Sequence, residues 1–132
     1  MKPRVQEVVI DCADPAGVAR FWGALLGTGW GSVDAGWATV DAGPLFIAFQ
    51  RVPEPKQSPK NRVHLDLEVE SLTEAVTQAV ELGATRLAQP ADEDGTHFVV
   101  MADPESNEFC FVADPDGTWT ATQRAATASR RD

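Results

Sequence analysis

The sequence predicts an α+β fold made of two β-α-β-β-β modules. The first indication is an internal repeat: an apolar strand, a capped helix and a closing glycine run from Val8 to Gly27 and again from Val63 to Gly83. The second is length, since 132 residues suit a single domain with one core. Two copies of a unit longer than the usual solenoid period favour a pseudo-symmetric domain over an array.

The first module begins with a Val- and Ile-rich segment, residues 5–12, that predicts a strand. Asp14 is a suitable N-cap and Pro15 a suitable first residue for the helix that follows, which we expect to end near Leu26. Gly27 suits the left-handed residue after a helix. The strand directly after the helix is the least defined, and the next two strands are expected over residues 36–41 and 45–52.

The second module repeats this order with a stronger helix signal. Its helix begins with a capping-box pattern, Ser71-Leu72-Thr73-Glu74, and ends at Gly83. Its last two strands are expected over residues 97–102 and 107–112.

These elements predict one domain over residues 1–113 and a C-terminal tail. The three prolines between residues 53 and 61 indicate an extended linker between the modules. Residues 114–132 lose apolar periodicity apart from Trp119, so we expect a mobile tail that could fold back through this indole. Module one is expected over about 5–52 and module two over about 62–113.

Composition excludes several classes of partner. The 20 acidic residues outnumber the 11 basic ones, and the net charge of −9 opposes nucleic acid and anionic membranes. The N-terminus has no long apolar run that would predict a secretory signal or a membrane helix, so we expect a cytoplasmic protein. Cys12 and Cys110 are expected to be thiols in this setting.

Two segments carry a resemblance to a known family. They are Asn-Arg-Val-His-Leu-Asp-Leu at residues 61–67 and Asp-Pro-Glu-Ser-Asn-Glu-Phe-Cys-Phe-Val at residues 103–112. With the repeated module, they resemble the glyoxalase/bleomycin-resistance/extradiol-dioxygenase superfamily, also called vicinal oxygen chelate proteins, and its glyoxalase-like branch in particular. The resemblance implies curled mixed sheets that form a concave pocket, with helices outside. It does not imply one reaction, because isomerases, lyases, dioxygenases and non-catalytic drug-binding proteins share this fold.

The resemblance also implies a metal site between the first and last strands of the modules. The corresponding residues are Glu7, Ala48, His64 and Cys110, of which only His64 is the usual ligand type. Ala48 has no donor atom, Glu7 replaces a His and Cys110 replaces a Glu. The implied set is therefore His64, Glu7 and Cys110, with a divalent metal such as zinc as the cofactor, because a thiolate favours zinc over magnesium or manganese.

Strand alternation independently indicates which side chains face the pocket. An apolar face formed by Val63, Leu65, Leu67 and Val69 turns His64, Asp66 and Glu68 to the opposite side. The same alternation turns Glu7 and Asp11 inward in the first strand, and many acidic groups on the concave face would favour a cationic ligand or a metal. The candidate ligand-pocket residues are Glu7, Asp11, Trp37, Ala48, Asp66 and Glu68.

The sequence allows purely structural roles for several of these residues. A single strand histidine such as His64 is often only hydrogen-bonded, and Cys110 could be a small buried hydrophobe. Trp37 could belong to the core or stack on a flat ligand.

The sequence favours a small-molecule-binding protein with a degenerate metal site. Its expected ligand is an aromatic or cationic organic compound, such as a drug, held for sequestration or self-resistance. The alternative is a divalent-metal-dependent lyase or isomerase acting on a small oxygenated substrate. A protein partner without any ligand is a third class. The resemblance also leaves open a homodimer that pairs modules across two chains.

Overall fold

The computed structural model describes residue 2, residues 4–87 and residues 97–128. The elements alternate in the order expected for two modules, with an additional helix at the end. The first module comprises β1 (Glu7–Cys12), α1 (Pro15–Leu26), β2 (Trp30–Asp34), β3 (Trp37–Asp41) and β4 (Phe46–Arg51). The second comprises β5 (Leu65–Glu68), α2 (Leu72–Leu82), β6 (Thr85–Arg86), β7 (Phe98–Ala102) and β8 (Glu108–Val112), followed by α3 (Thr118–Ala128).

Each module forms its own four-stranded mixed sheet. The strand orders are β1-β4-β3-β2 and β5-β8-β7-β6, so the modules have the same topology. In each sheet the first and last strands of the module pair in parallel and the remaining pairs are antiparallel. The predicted fold class, α+β with two β-α-β-β-β modules, is confirmed.

The strand after each helix is the element that sequence patterns located least well. In the first module this strand is β2, at Trp30–Asp34, with an irregular register against β3. In the second module it is only the two residues of β6. Both are edge strands with mostly exposed residues, so neither has the apolar alternation that reveals a half-buried strand.

The two module helices begin and end at the expected caps. The Asp14 carboxylate accepts a hydrogen bond from the Gly17 amide at 3.2 Å, and the Ser71 hydroxyl accepts one from the Glu74 amide at 3.1 Å. Both helices end in left-handed glycines, with φ of 67° at Gly27 and 118° at Gly83. These stops are local in sequence, which explains why they could be predicted.

One aromatic cluster joins the two modules. Phe109 of β8 lies 4.8 Å from Trp22 and 6.3 Å from Phe21, measured between ring centroids, and both of these partners lie on α1. Phe111 packs edge-on against Phe109 at 5.4 Å. The core is therefore shared, and α1 contacts the second sheet as well as its own.

The turn between β7 and β8 ties the modules together with polar contacts. Buried Asp103 accepts a hydrogen bond from the Trp22 indole N–H at 2.9 Å. The Glu105 carboxylate accepts hydrogen bonds from the amides of Ala13 and Asp14, at 2.9 and 2.7 Å. This turn thus fixes the end of β1 and the start of α1 relative to β8.

The C-terminal segment contains an element that the sequence did not predict, because residues 118–128 form the helix α3. Asp114 starts this helix by accepting hydrogen bonds from the Trp119 and Thr120 amides, at 3.0 and 3.1 Å. None of its residues is buried, so it lacks the apolar stripe on which the helix prediction depended. Mobility of the tail stays a prediction. None of the helices in the described part of the chain is both long and apolar enough to cross a bilayer.

Candidate functional site

A cavity of about 810 Å³ lies between the second sheet and the segment that carries α3. This volume is within the range of small-molecule sites. The sheet contributes residues from β5, β7 and β8, and the tail contributes the opposite wall. The lining residues are Lys60, His64, Asp66, His97, Phe98, Val100, Cys110, Val112, Ala113, Asp114, Pro115, Asp116, Thr118, Trp119 and Thr122.

Strand register determines which side chains reach the cavity. Asp66 of β5 pairs with Cys110 of β8, which in turn pairs with Val100 of β7. Residues paired across neighbouring strands point to the same face of a sheet, so these three side chains form one row. The flanking residues Phe109 and Phe111 point to the opposite face and are buried in the core.

His64, Asp66 and Cys110 form a compact cluster in this cavity. One potential ligand atom from each lies within 4.8 Å of the other two. The His64 Nε2 and Asp66 Oδ1 atoms are 3.3 Å apart, and both side chains are about half exposed. His64 directly precedes β5, two residues before Asp66, so alternation places both on the same face.

The environment of Cys110 favours its neutral thiol. Burial raises the pKa of the Cys110 thiol, and the Asp66 carboxylate raises it further through its charge and a hydrogen bond. Lys60 opposes this effect, while Glu108 adds to it. Without a cation, the raised pKa therefore favours a neutral thiol over an activated nucleophile.

The wall opposite the sheet contains an exposed indole. Trp119 is 62% exposed and Phe98 is 42% exposed, although both are large apolar side chains. Asp114 holds the Trp119 end of α3 in place through the amide hydrogen bonds, which lower the pKa of the Asp114 carboxyl. The cavity thus presents two accessible aromatic rings.

Acidic groups dominate the charge of the lining. Asp66, Asp114 and Asp116 contribute carboxylates, whereas Lys60 is the single Lys or Arg among the lining residues. Lys60 also lies 3.6 Å from a Glu108 carboxylate oxygen. The lining therefore attracts a cation more readily than an anion.

The residues predicted for one pocket separate into two groups. His64, Asp66 and Cys110 meet in the cavity, whereas Glu68 does not line it. The remaining candidates lie on the first sheet, where the register places them on one common face, and they do not line this cavity either. They are Glu7, Asp11, Trp37 and Ala48.

A second cleft, of about 520 Å³, is lined by Asp11 and by His64, which lines the first cavity as well. It lies between β1, the linker and the β7–β8 turn, and it includes the carboxylate of Glu105. Since Glu105 already accepts hydrogen bonds from two backbone amides, this part of the cleft serves the contact between modules.

Sequence reasoning did not place Phe98, Trp119 or Asp114 among the pocket residues. Phe98 and Trp119 supply the aromatic walls, and Asp114 positions Trp119. The usual N-cap pattern could not identify Asp114, because it lies four residues before α3 and accepts hydrogen bonds from amides five and six residues further along the chain. The cavity role of Phe98 and Trp119 depends on how the tail crosses the sheet, which no local pattern records.

The geometry can be compared with known proteins. The family model of the glyoxalase-like domain matches residues 7–112. The chain belongs to this glyoxalase-like family. The match covers both modules and stops before α3, so the wall that carries Trp119 lies outside the matched region. No curated protein matches the chain.

Solved structures share this glyoxalase-like fold at low sequence identity. A glyoxalase/bleomycin resistance protein/dioxygenase family enzyme from Burkholderia phytofirmans is 20% identical, with a TM-score of 0.66 over 84% of this chain and 98% of that one. A glyoxalase-related enzyme from Fulvimarina pelagi is 18% identical, with a TM-score of 0.66 over 86% of this chain and 90% of that one.

The fosfomycin resistance protein FosX from Listeria monocytogenes has the same fold. A mutant of FosX, complexed with Mn(II) and 1S,2S-dihydroxypropylphosphonic acid, is 12% identical, with a TM-score of 0.71 over 93% of this chain and 99% of that one. These likenesses establish the superfamily fold of the chain and leave its ligand to be argued from its own side chains.

Proposed function

We propose that this glyoxalase-like protein binds a small, flat, cationic organic molecule in the cavity between the second sheet and α3. The observation that carries the proposal is the lining itself, which combines two exposed aromatic rings with an excess of carboxylates. Trp119 and Phe98 offer stacking surfaces, and an aromatic face also attracts a cation. Sequestration of a toxic compound, as in self-resistance, is the biological role we favour.

The charge of the cavity separates this proposal from a phosphonate-binding role. FosX was solved with a phosphonic acid, which is anionic. Here Asp66, Asp114 and Asp116 would repel such a group, and Lys60 is already close to Glu108. The lining therefore supports a different ligand class within the same fold.

The first experiment compares three probes of similar shape and different charge. N-methylquinolinium is a planar cation, 1-methylnaphthalene is neutral and 1-naphthoate is an anion. One carboxylate near the bound charge contributes about 1 kcal/mol at 4 Å in water, so we expect the cation to bind roughly fivefold more tightly than the neutral probe. Ligand-observed NMR titration gives the three dissociation constants.

Substitutions then locate the binding site. Trp119→Ala should weaken cation binding by roughly tenfold, because stacking contributes about 0.5–1.5 kcal/mol in addition to burial of the ring. Trp30→Phe on β2 is the matched control, since Trp30 does not line the cavity. Equal or tighter binding of 1-naphthoate would contradict the proposal, and so would equal affinities of the two variants.

A divalent-metal-dependent lyase or isomerase is the second candidate. The observation that favours it is the proximity of His64, Asp66 and Cys110, whose imidazole, carboxylate and thiol are all suitable metal ligands. A bound metal would polarise vicinal oxygens of a substrate. The chain would contribute the ligands and the aromatic walls that orient the substrate.

Metal content of protein purified without an affinity tag tests this candidate. Stoichiometric metal that is lost in His64→Ala and Cys110→Ala, together with slow conversion of a vicinal oxygenated substrate detected by NMR, would support an enzyme. Binding of the quinolinium probe without metal, and unaffected by EDTA, would favour the binding protein.

We also propose a homodimer in which a second copy covers the open face of the first sheet. Val9 and Phe46 are exposed on this face, on either side of the buried Ala48. Trp37, Glu7 and Asp11 share this face and line no part of the cavity over the second sheet. Covering the face with a second copy would bury these apolar groups.

Light scattering coupled to size exclusion tests the dimer directly. Wild-type protein is expected at twice the monomer mass of 14.2 kDa, and Phe46→Glu should shift it towards the monomer. Val80→Glu, which places a charge at an exposed position of α2, is the control. A monomeric wild type at micromolar concentration contradicts the proposal.

A further inference from the structure

We infer that the second module alone holds a zinc site, with His64, Asp66 and Cys110 as its three protein ligands. The inference concerns the cavity described above, but it rests on these three side chains and not on the organic ligand proposed for it. Among the described residues they form a group in which every potential ligand atom lies within 4.8 Å of the others.

The distances are close to those of a bound state. Zinc–sulfur bonds of about 2.3 Å and zinc–nitrogen or zinc–oxygen bonds of about 2.0–2.1 Å place tetrahedral ligand atoms roughly 3.3–3.6 Å apart. His64 Nε2 and Asp66 Oδ1 are already 3.3 Å apart. The longest separation in the group has to shorten by no more than about 1.5 Å, which rotation of a half-exposed side chain can provide.

The backbone holds two of the ligands in register. Asp66 and Cys110 are paired residues of the parallel strands β5 and β8, so their side chains leave the same face of the sheet. His64 lies just outside β5, where its ring is free to turn towards the pair. Ligands on paired strands need little reorganisation to bind a metal.

This set differs from the one that the family resemblance implied. Ala48 has no donor atom, and Glu7 is held in the other sheet by pairing with Phe46. Asp66 replaces Glu7 as the carboxylate of the site, and all three ligands come from one module. The inferred metal site therefore lies within the second module and not between the two modules.

The donor types select the metal. A thiolate and an imidazole suit zinc and its spectroscopic substitute cobalt, whereas Mn(II) and Mg(II) prefer sites made entirely of oxygen ligands. With three protein ligands, the fourth tetrahedral position stays open towards the cavity, where water or an oxygen atom of a ligand would bind.

Cobalt titration of metal-free protein tests the ligand set without any activity assay. Cobalt loading should produce a thiolate-to-cobalt charge-transfer absorption and the intense visible bands of tetrahedral cobalt. Added zinc should displace the cobalt, and both absorptions should disappear. Cys110→Ser should abolish the charge-transfer band. Asp66→Ala and His64→Ala should each weaken zinc binding by at least roughly 100-fold in calorimetry. Removing a residue that only hydrogen-bonds to a metal ligand already costs about 10–100-fold, and a direct ligand should cost no less than the upper value.

Glu7→Gln is the matched control, because it removes the carboxylate that the family resemblance implied. We expect its zinc affinity to equal that of the wild type. Circular dichroism of each variant separates loss of metal from loss of fold, and the near-isosteric Cys110→Ser keeps the test informative if an alanine variant does not fold. The inference is overturned if cobalt loading gives no charge-transfer band, if Mn(II) binds more tightly than zinc, or if Glu7→Gln weakens binding as much as Asp66→Ala.

Discussion

The buried carboxylate of Asp103 offers a demanding test of how the modules are held together. Its Oδ1 accepts hydrogen bonds from the Glu105 and Asn107 amides, both at 2.9 Å. Its Oδ2 accepts one from the Trp22 indole at 2.9 Å and one from the Asn107 side-chain amide at 3.1 Å. Both oxygens are therefore acceptors only, in a site that is 3% exposed.

Asp103→Asn keeps the shape of the side chain and replaces one acceptor with a donor. Whichever way the new amide turns, its NH2 group meets two donors, so two hydrogen bonds are lost and one side of the site becomes repulsive. Hydrogen bonds to charged groups contribute about 1.5–3 kcal/mol each, so losing two predicts a decrease of roughly 3–6 kcal/mol in the free energy of unfolding. This is a large fraction of the stability of a typical domain.

Urea denaturation followed by circular dichroism measures the effect. We expect a lower midpoint with an unchanged m-value, because the surface exposed on unfolding stays the same. Glu81→Gln, on the exposed surface of α2, is the control and should change stability by less than about 0.5 kcal/mol. A loss below about 1 kcal/mol in Asp103→Asn would refute the view that this carboxylate ties the modules together.

Three further predictions follow from local geometry. Gly83→Ala should lower the free energy of unfolding by about 1–2 kcal/mol, because Gly83 has φ of 118°, which is unfavourable for alanine. Gly29→Ala is the control and should change stability little, since an added Cβ would contact nothing there; equal effects of the two substitutions in thermal unfolding would contradict this. The lowered pKa of Asp114 means that its cap stabilises α3 above the ordinary aspartate range and that this stabilisation is lost as pH falls through the lowered value. Far-UV circular dichroism should therefore show acid loss of helix that Asp114→Asn removes, and identical acid titrations of the two proteins would be the contrary result. Burial and neighbouring carboxylates raise the pKa of Cys12 to about 11, so Cys12 should resist alkylation at neutral pH until the protein unfolds; mass spectrometry that finds it labelled in native protein would contradict its placement in the core.

The sequence was sufficient to predict the parts of the fold that depend on local signals. The caps of α1 and α2 act within one turn of their own helices, so a few neighbouring residues determine each helix boundary. These caps are Asp14, Gly27, Ser71 and Gly83. The internal repeat then predicted the module order. By contrast, α3 has no buried stripe, and periodicity cannot reveal a helix that does not pack on a core.

The candidate site was only partly predictable because it depends on register between distant strands. Alternation correctly separated Leu65 and Leu67, which pack on the core, from His64 and Asp66. Alternation could not establish that Asp66 pairs with Cys110, since that pairing is set by how β5 and β8 align. The same reasoning placed Val63 in the apolar face, whereas the structure leaves it exposed just outside the strand.

The central claim is that a planar cation binds between the second sheet and α3, and an amide NMR titration tests it most directly. Addition of N-methylquinolinium to isotopically labelled protein should shift the Trp119 indole signal and the amides of Phe98, Val100 and Cys110, while the Trp37 indole signal on the first sheet stays in place. Shifts confined to the first sheet, or none up to millimolar probe, would contradict the claim.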